Sequence, residues 1–154
     1  MNLGISDEKK DELAEELTNY LADTYALYLK TQNYHWNVKG IHFHSLHALF
    51  EEQYEALAEA VDEVAERIRA LGAHAPGSFM KFAGRTQLEE ANEQETSHEM
   101  LEALTQDHET LARAGRKLVE AAEEAADHAT ADLVTERIQA HETTAWMLRS
   151  HLEE

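Results

Sequence analysis

Between Gly40 and Gly72 the chain carries neither proline nor glycine, and its apolar residues recur at helical spacing: Leu46, Leu49, Phe50, Leu57, Val61, Val64, Ile68 and Leu71. Intervals of three and four place these side chains on one helix stripe; a half-buried strand would need strict alternation. A helix that long must bury its stripe against other helices. Gly72 is placed to cap its end. The scarcity of breakers extends to the whole chain, with one proline and six glycines in 154 residues. An all-helical protein is expected.

A first helix is predicted from Ser6, an N-cap followed by Asp7 and Glu8, running to Tyr34 or Trp36. Asn37 to Gly40 reads as a turn. Ala73 to Asn92 holds Pro76 and forms a long connection, with Thr86 to Ala91 predicted as a short extra helix. A third helix is predicted over Glu95 to Ala126 and a fourth from Asp127–Thr130 onward. Four long helices joined with one long crossover follow the ferritin-like bundle plan, here as one domain over residues 1–154. No apolar signal segment or membrane-spanning run is seen, and the absence of cysteine excludes disulfides and thiolate metal sites. A cytoplasmic protein is expected.

The second helix also carries chemistry. His47/Glu51 and Asp62/Glu66 are each four residues apart and so share a face. Imidazole beside carboxylate suits iron, zinc or manganese. From His47 to Asp62 is 15 positions, roughly 22 Å along a helix, whereas metal–ligand bonds are about 2 Å long. The two pairs therefore either serve separate features or meet across a two-fold axis between antiparallel chains.

His35-Trp36, His47 twelve residues after the first histidine, Asp62 fifteen further and Glu66 four beyond, in the context Ala65-Glu66-Arg67, together resemble the Dps family, the miniferritins that protect DNA from starvation and oxidative damage. The resemblance covers most of the chain, strongest from Asn33 to Leu71 and in the helix with Trp146. It implies a ferritin-like four-helix bundle with a short helix in the connection between helices two and three, near a two-fold axis. Assembly into a hollow shell of twelve subunits is implied too. At each intersubunit site two irons would be held by His35 and His47 of one subunit and Asp62 and Glu66 of its partner. Glu51 would stand near the second iron. The implied activity is Fe(II) oxidation by hydrogen peroxide, with ferric mineral stored inside; zinc could substitute at the same ligands. Asp127, His128, Asp132 and Glu136, at the junction of helices three and four, fall where Dps assemblies have three-fold iron-entry pores. Asp132 is the firmest of these.

With 31 acidic and 13 basic residues the formal charge is −18, a field that repels nucleic acid and attracts cations. A solvated acidic surface, such as a salt-adapted protein carries, explains most individual acids. DNA-binding Dps proteins use basic terminal tails; here Lys9 and Lys10 lie among acids and the chain ends HLEE. DNA coating is not expected. A nucleoid-structural protein and a redox-inactive zinc-binding bundle remain the alternatives.

Other residues carry blander readings. Glu95 and His98 make a lone Glu-x-x-His without a second copy, more consistent with chance than with an intrachain di-iron site. His42 and His44 read as surface or capping residues, and His108 and His141 as satisfied core histidines. The five tyrosines and Trp36 and Trp146 read chiefly as packing residues, although a tryptophan beside iron could absorb stray oxidising equivalents.

Overall fold

The computed structural model describes residues 2–153. Among them the chain forms α1 (Asp7–Asn37), α2 (Phe43–Ala70), a short α3 (Phe79–Arg85), α4 (Ser97–Glu124) and α5 (His128–Ser150), with no strand. The four long helices pair as two hairpins, α1 with α2 and α4 with α5, joined along the α1–α4 face. This is the ferritin-like bundle anticipated from the helical stripes, and α3 lies against α1.

The starts and stops follow from local chemistry. Ser6 accepts the Lys9 amide at the head of α1, and Asp7 and Glu8 sit in its positive first turn. Thr96 and Glu99 form a reciprocal capping box at α4, which moves its start two residues past the expected Glu95. Gly72 follows α2 with φ +95°, the left-handed conformation that a helix stop favours. The bundle interior is filled by Leu13, Leu17, Leu21 and Leu27 of α1, Phe50 and Ile68 of α2, Leu104 and Leu111 of α4, and Leu148 of α5.

The short helix was expected at Thr86–Ala91 and stands instead at Phe79–Arg85, capped by the Ser78 hydroxyl. The reason is tertiary. Buried Asp23 on α1 accepts the Thr86 hydroxyl at 2.7 Å, the Gln87 backbone amide at 2.8 Å and the Gln87 side-chain amide at 2.9 Å. These bonds hold Thr86 against α1 in the extended backbone that ends α3, φ −68° and ψ 141°. Further along, buried Lys30 pairs with Asp107 at 2.9 Å and donates to the Glu89 carbonyl, so one cation ties α1, α4 and the crossover together. Burial is the leading influence on the Asp107 carboxyl and holds it above its ordinary pKa, with Lys30 opposing.

The α4–α5 hairpin closes at Gly115, where an added Cβ would stand 2.7 Å from Ile138 Cγ1. Helix propensity favours alanine over glycine by about 1 kcal/mol, but overpacking at such a contact costs roughly 1–3 kcal/mol. Gly115→Ala is therefore expected to lower stability on balance, by about 1 kcal/mol. A rise in the urea midpoint would contradict that reading of the contact.

Candidate metal centre

The last turn of α1 and the first turns of α2 bring His35 and His47 face to face. Their rings stack at 3.8 Å with an interplanar angle of 13°. Each Nδ1 lies 2.7 Å from the other residue's backbone carbonyl, His35 on His47 O and His47 on His35 O. A carbonyl only accepts, so each Nδ1 must carry its proton and donate. In the neutral rings the lone pair then sits on Nε2, the nitrogen left for a metal. Among the described residues no hydrogen bond engages either Nε2. Phe43 stacks on His47 at 5.0 Å and Tyr54 meets His35 edge-on at 5.3 Å, which fixes both ring planes. The pair is thus a locked two-nitrogen donor.

The carboxylates lie elsewhere. α2 runs unbroken from Phe43 to Ala70, so Asp62 stands roughly 22 Å along it from His47. Asp62 and Glu66 are exposed and make no hydrogen bond or ion pair among the described residues. Glu51 is exposed one turn beyond His47. No three His, Asp or Glu side chains of the described residues converge as a metal site. The chain brings its histidines together and its carboxylates together, at separate ends of one helix.

The acidic junction divides in two. His128, Asp132 and Glu136 are exposed along α5. Asp127, grouped with them in the sequence, is 2% exposed and fully engaged. It caps α5 by accepting the Thr130 amide and hydroxyl, and Arg67 of α2 donates to it at 3.0 Å. Arg67 also donates to the Thr130 hydroxyl at 2.8 Å. Burial pushes the Asp127 carboxyl up, and the Thr130 and Arg67 bonds outweigh it, leaving the pKa below its ordinary value. Asp127 ties α2 to α5 from a buried position, unlike exposed His128, Asp132 and Glu136. Asp127→Ala removes a helix cap and strands a half-buried guanidinium, at a cost of roughly 2–4 kcal/mol; thermal unfolding of the variant reads that loss.

Glu95 and His98 do not converge. Glu95 accepts from the Tyr34 hydroxyl at 2.8 Å and the Asn92 amide at 3.0 Å, while exposed His98 lies 3.3 Å from Glu102. His42 and His44 are exposed, and His42 occupies the N-cap of α2 without a side-chain bond. His108 and His141 are core residues as expected, yet incompletely satisfied. Their Nδ1 atoms share one hydrogen bond at 2.8 Å, and both Nε2 atoms are buried without a partner. The Arg67–Asp127–Thr130 and Asp23–Thr86–Gln87 clusters escaped sequence reasoning, because their partners lie about sixty residues apart.

The bundle, its crossover helix and the split donor set define a ferritin-like protein, and residues 14–154 match the ferritin-like domain family. An uncharacterised low-temperature-induced protein of Nostoc is 43% identical over 99% of this chain and 87% of its own length. The DNA protection during starvation protein 2 of Bacillus anthracis is 36% identical, covering 92% of this chain and 97% of its own. Among solved structures, the Dps protein of Vibrio cholerae, described as a member of the ferritin-like diiron-carboxylate proteins, superposes with TM-score 0.94. It shares 33% identity and covers 97% of this chain and 94% of its own. The chain belongs to the Dps family.

Proposed function

We propose that this protein is a ferroxidase and iron-storing miniferritin, oxidising Fe(II) with hydrogen peroxide at sites shared between two-fold-related subunits. The observation that carries the reading is the reciprocal His35–His47 lock, two Nε2 lone pairs presented together in a chain that supplies them no carboxylate nearby. A second, antiparallel copy delivers Asp62 and Glu66 to that point, and its own histidines receive this chain's carboxylates in return. An exposed apolar groove supports such a partner. Trp36 is 60%, Phe79 73% and Met80 87% exposed, and all three line one groove between α1 and the crossover. Apolar side chains grouped in this way mark a surface made to be covered.

At the shared site the imidazoles hold Fe(II) and the carboxylates favour Fe(III). Two irons, the second near Glu51, give peroxide both electrons together and avoid the one-electron step that releases hydroxyl radical. In a closed shell of twelve, His128, Asp132 and Glu136 line the entry route and the acidic inner wall collects ferric product. The charge of −18 supports cation uptake and opposes DNA coating. Among the described residues no helix is long and apolar enough to cross a membrane.

Anaerobic oxidation of Fe(II) by peroxide, followed by sizing of the loaded particle, tests the activity. About two irons consumed per peroxide, with iron co-eluting with a large particle, is the expected result. Slow oxidation with precipitated iron, or retention of Zn(II) against excess Fe(II), would move the reading to a redox-inactive metal-binding bundle.

A further inference from the structure

The exposed face of α2 carries one more nitrogen donor than the stacked histidine pair. α2 is unbroken from Phe43 to Ala70, so side chains a whole number of turns apart leave it on one line. His44 stands three positions before His47, seven before Glu51 and eighteen before Asp62. Seven positions are about two turns and eighteen about five. His44, Glu51 and Asp62 therefore share one line, and Glu66 follows Asp62 by a turn on the same face. All four are exposed. The buried residues of α2, among them Leu46, Phe50, Leu57 and Val64, occupy the other side. His42, two positions before His44 at the N-cap, does not share the line.

The spacing suits chelation. Di-iron bundles hold metal with donors three positions apart on one helix, as in Glu-x-x-His, and His44 and His47 have that interval. His47 is fixed by the His35 carbonyl and the Phe43 ring, with its Nε2 left for a metal. His44 makes no hydrogen bond, ion pair or ring contact among the described residues, and in the single chain it does not complete a three-donor group with the pair. Its ring can turn about the Cα–Cβ bond toward His47. Antiparallel pairing converts three positions back on one chain into three forward on the other. A copy that brings its Asp62 to His47 thus sets His44 beside Glu66 of the partner subunit. We infer that His44 is a third imidazole ligand of the shared centre, holding the divalent ion together with His47 and Glu66 of the partner subunit. The inference rests on the two-chain site proposed above. A neutral imidazole strengthens the grip on Fe(II) without adding the negative charge that favours Fe(III), so His44 sets how firmly the substrate ion is held before it is oxidised.

Co(II), which peroxide-free buffer leaves divalent, reads the ligand set without iron chemistry. The assembled protein is treated with diethyl pyrocarbonate, which acylates unligated imidazole nitrogen, with and without Co(II), and the modified histidines are mapped by mass spectrometry. Co(II) should shield His44 together with His47 and leave His42 as reactive as before. Calorimetric titration should show His44→Ala binding Co(II) roughly ten-fold more weakly than the parent or worse, since even groups that only orient a ligand cost that much. His42→Ala should bind as the parent does. With iron, His44→Ala should raise the KM for Fe(II) by a similar factor and change kcat less. Shielding of His44 and weakened Co(II) binding in His44→Ala, together with slow Fe(II) oxidation by the parent, would sink the ferroxidase reading and uphold the ligand. Shielding of His47 without His44, or parent-like Co(II) affinity in His44→Ala, overturns the inference while leaving the shared site standing. Co(II) that shields neither histidine removes the site and this ligand together.

Discussion

Asp62→Ala is expected to lower peroxide-driven Fe(II) oxidation at least a hundred-fold while leaving the subunit folded. Loss of groups that merely orient a ligand costs roughly 10–100-fold in metal affinity or activity, and a direct ligand should cost no less. The side chain is exposed and makes no bond among the described residues, so its removal takes nothing from the bundle. His47→Ala should match that loss by a different route. It deletes one Nε2 and also one half of the reciprocal lock, so the His35 Nδ1 keeps its carbonyl but its ring loses the stacking partner. Stopped-flow oxidation and far-UV circular dichroism on both variants separate chemistry from folding. Parent-like rates in both would remove these residues from the site.

Acid should weaken the bundle from its centre. His108 and His141 are 2% and 0% exposed, and burial, aided by the Arg137 charge, pushes the His108 pKa down to about 3. Burial, the neighbouring His108 and Arg137 likewise hold His141 well below the ordinary histidine range. The folded state keeps both rings neutral while the unfolded chain takes up protons near pH 6.5. Unfolding therefore binds protons, and stability falls as pH drops below that value. Each ring contributes up to about 1.4 kcal/mol per pH unit. Between pH 7 and 4.5 His108 alone removes roughly 2–3 kcal/mol, and His141 adds to the loss in the same direction. Urea unfolding across this range reads the loss directly, and His108→Leu/His141→Leu should flatten it. A wild-type profile without slope between pH 7 and 5 would show that the rings are not held neutral.

The helices were legible in the sequence because a long amphipathic stripe has one solution, and Ser6 and Gly72 act within a turn of where they stand; the Thr96–Glu99 capping box was not read. The juxtaposition of His35 and His47 was legible through the family spacing; its crossed carbonyl bonds, which select the tautomer, were not, because backbone geometry leaves no residue signature. α3 was misplaced because its start depends on the Ser78 cap and its end on Thr86, which Asp23, sixty-odd residues earlier, holds extended against α1. Asp127 looked like Asp132 in the sequence, both acids near the start of α5. Only Arg67, arriving from α2, separates a buried cap from an exposed acid. The pairing of His108 with His141 needed the α4–α5 register.

The claim that the site belongs to two chains is tested most directly by complementation. Subunits carrying His47→Ala and subunits carrying Asp62→Ala are unfolded, mixed in equal amounts and reassembled. In a mixed dimer one site collects both defects and the other collects neither. Random pairing then restores roughly a quarter of the sites. Fe(II) oxidation by peroxide should recover to about a quarter of the parent rate, against near-zero rates for either variant alone. No recovery in reassembled mixed shells would place histidine and aspartate in the same chain's site and contradict the account.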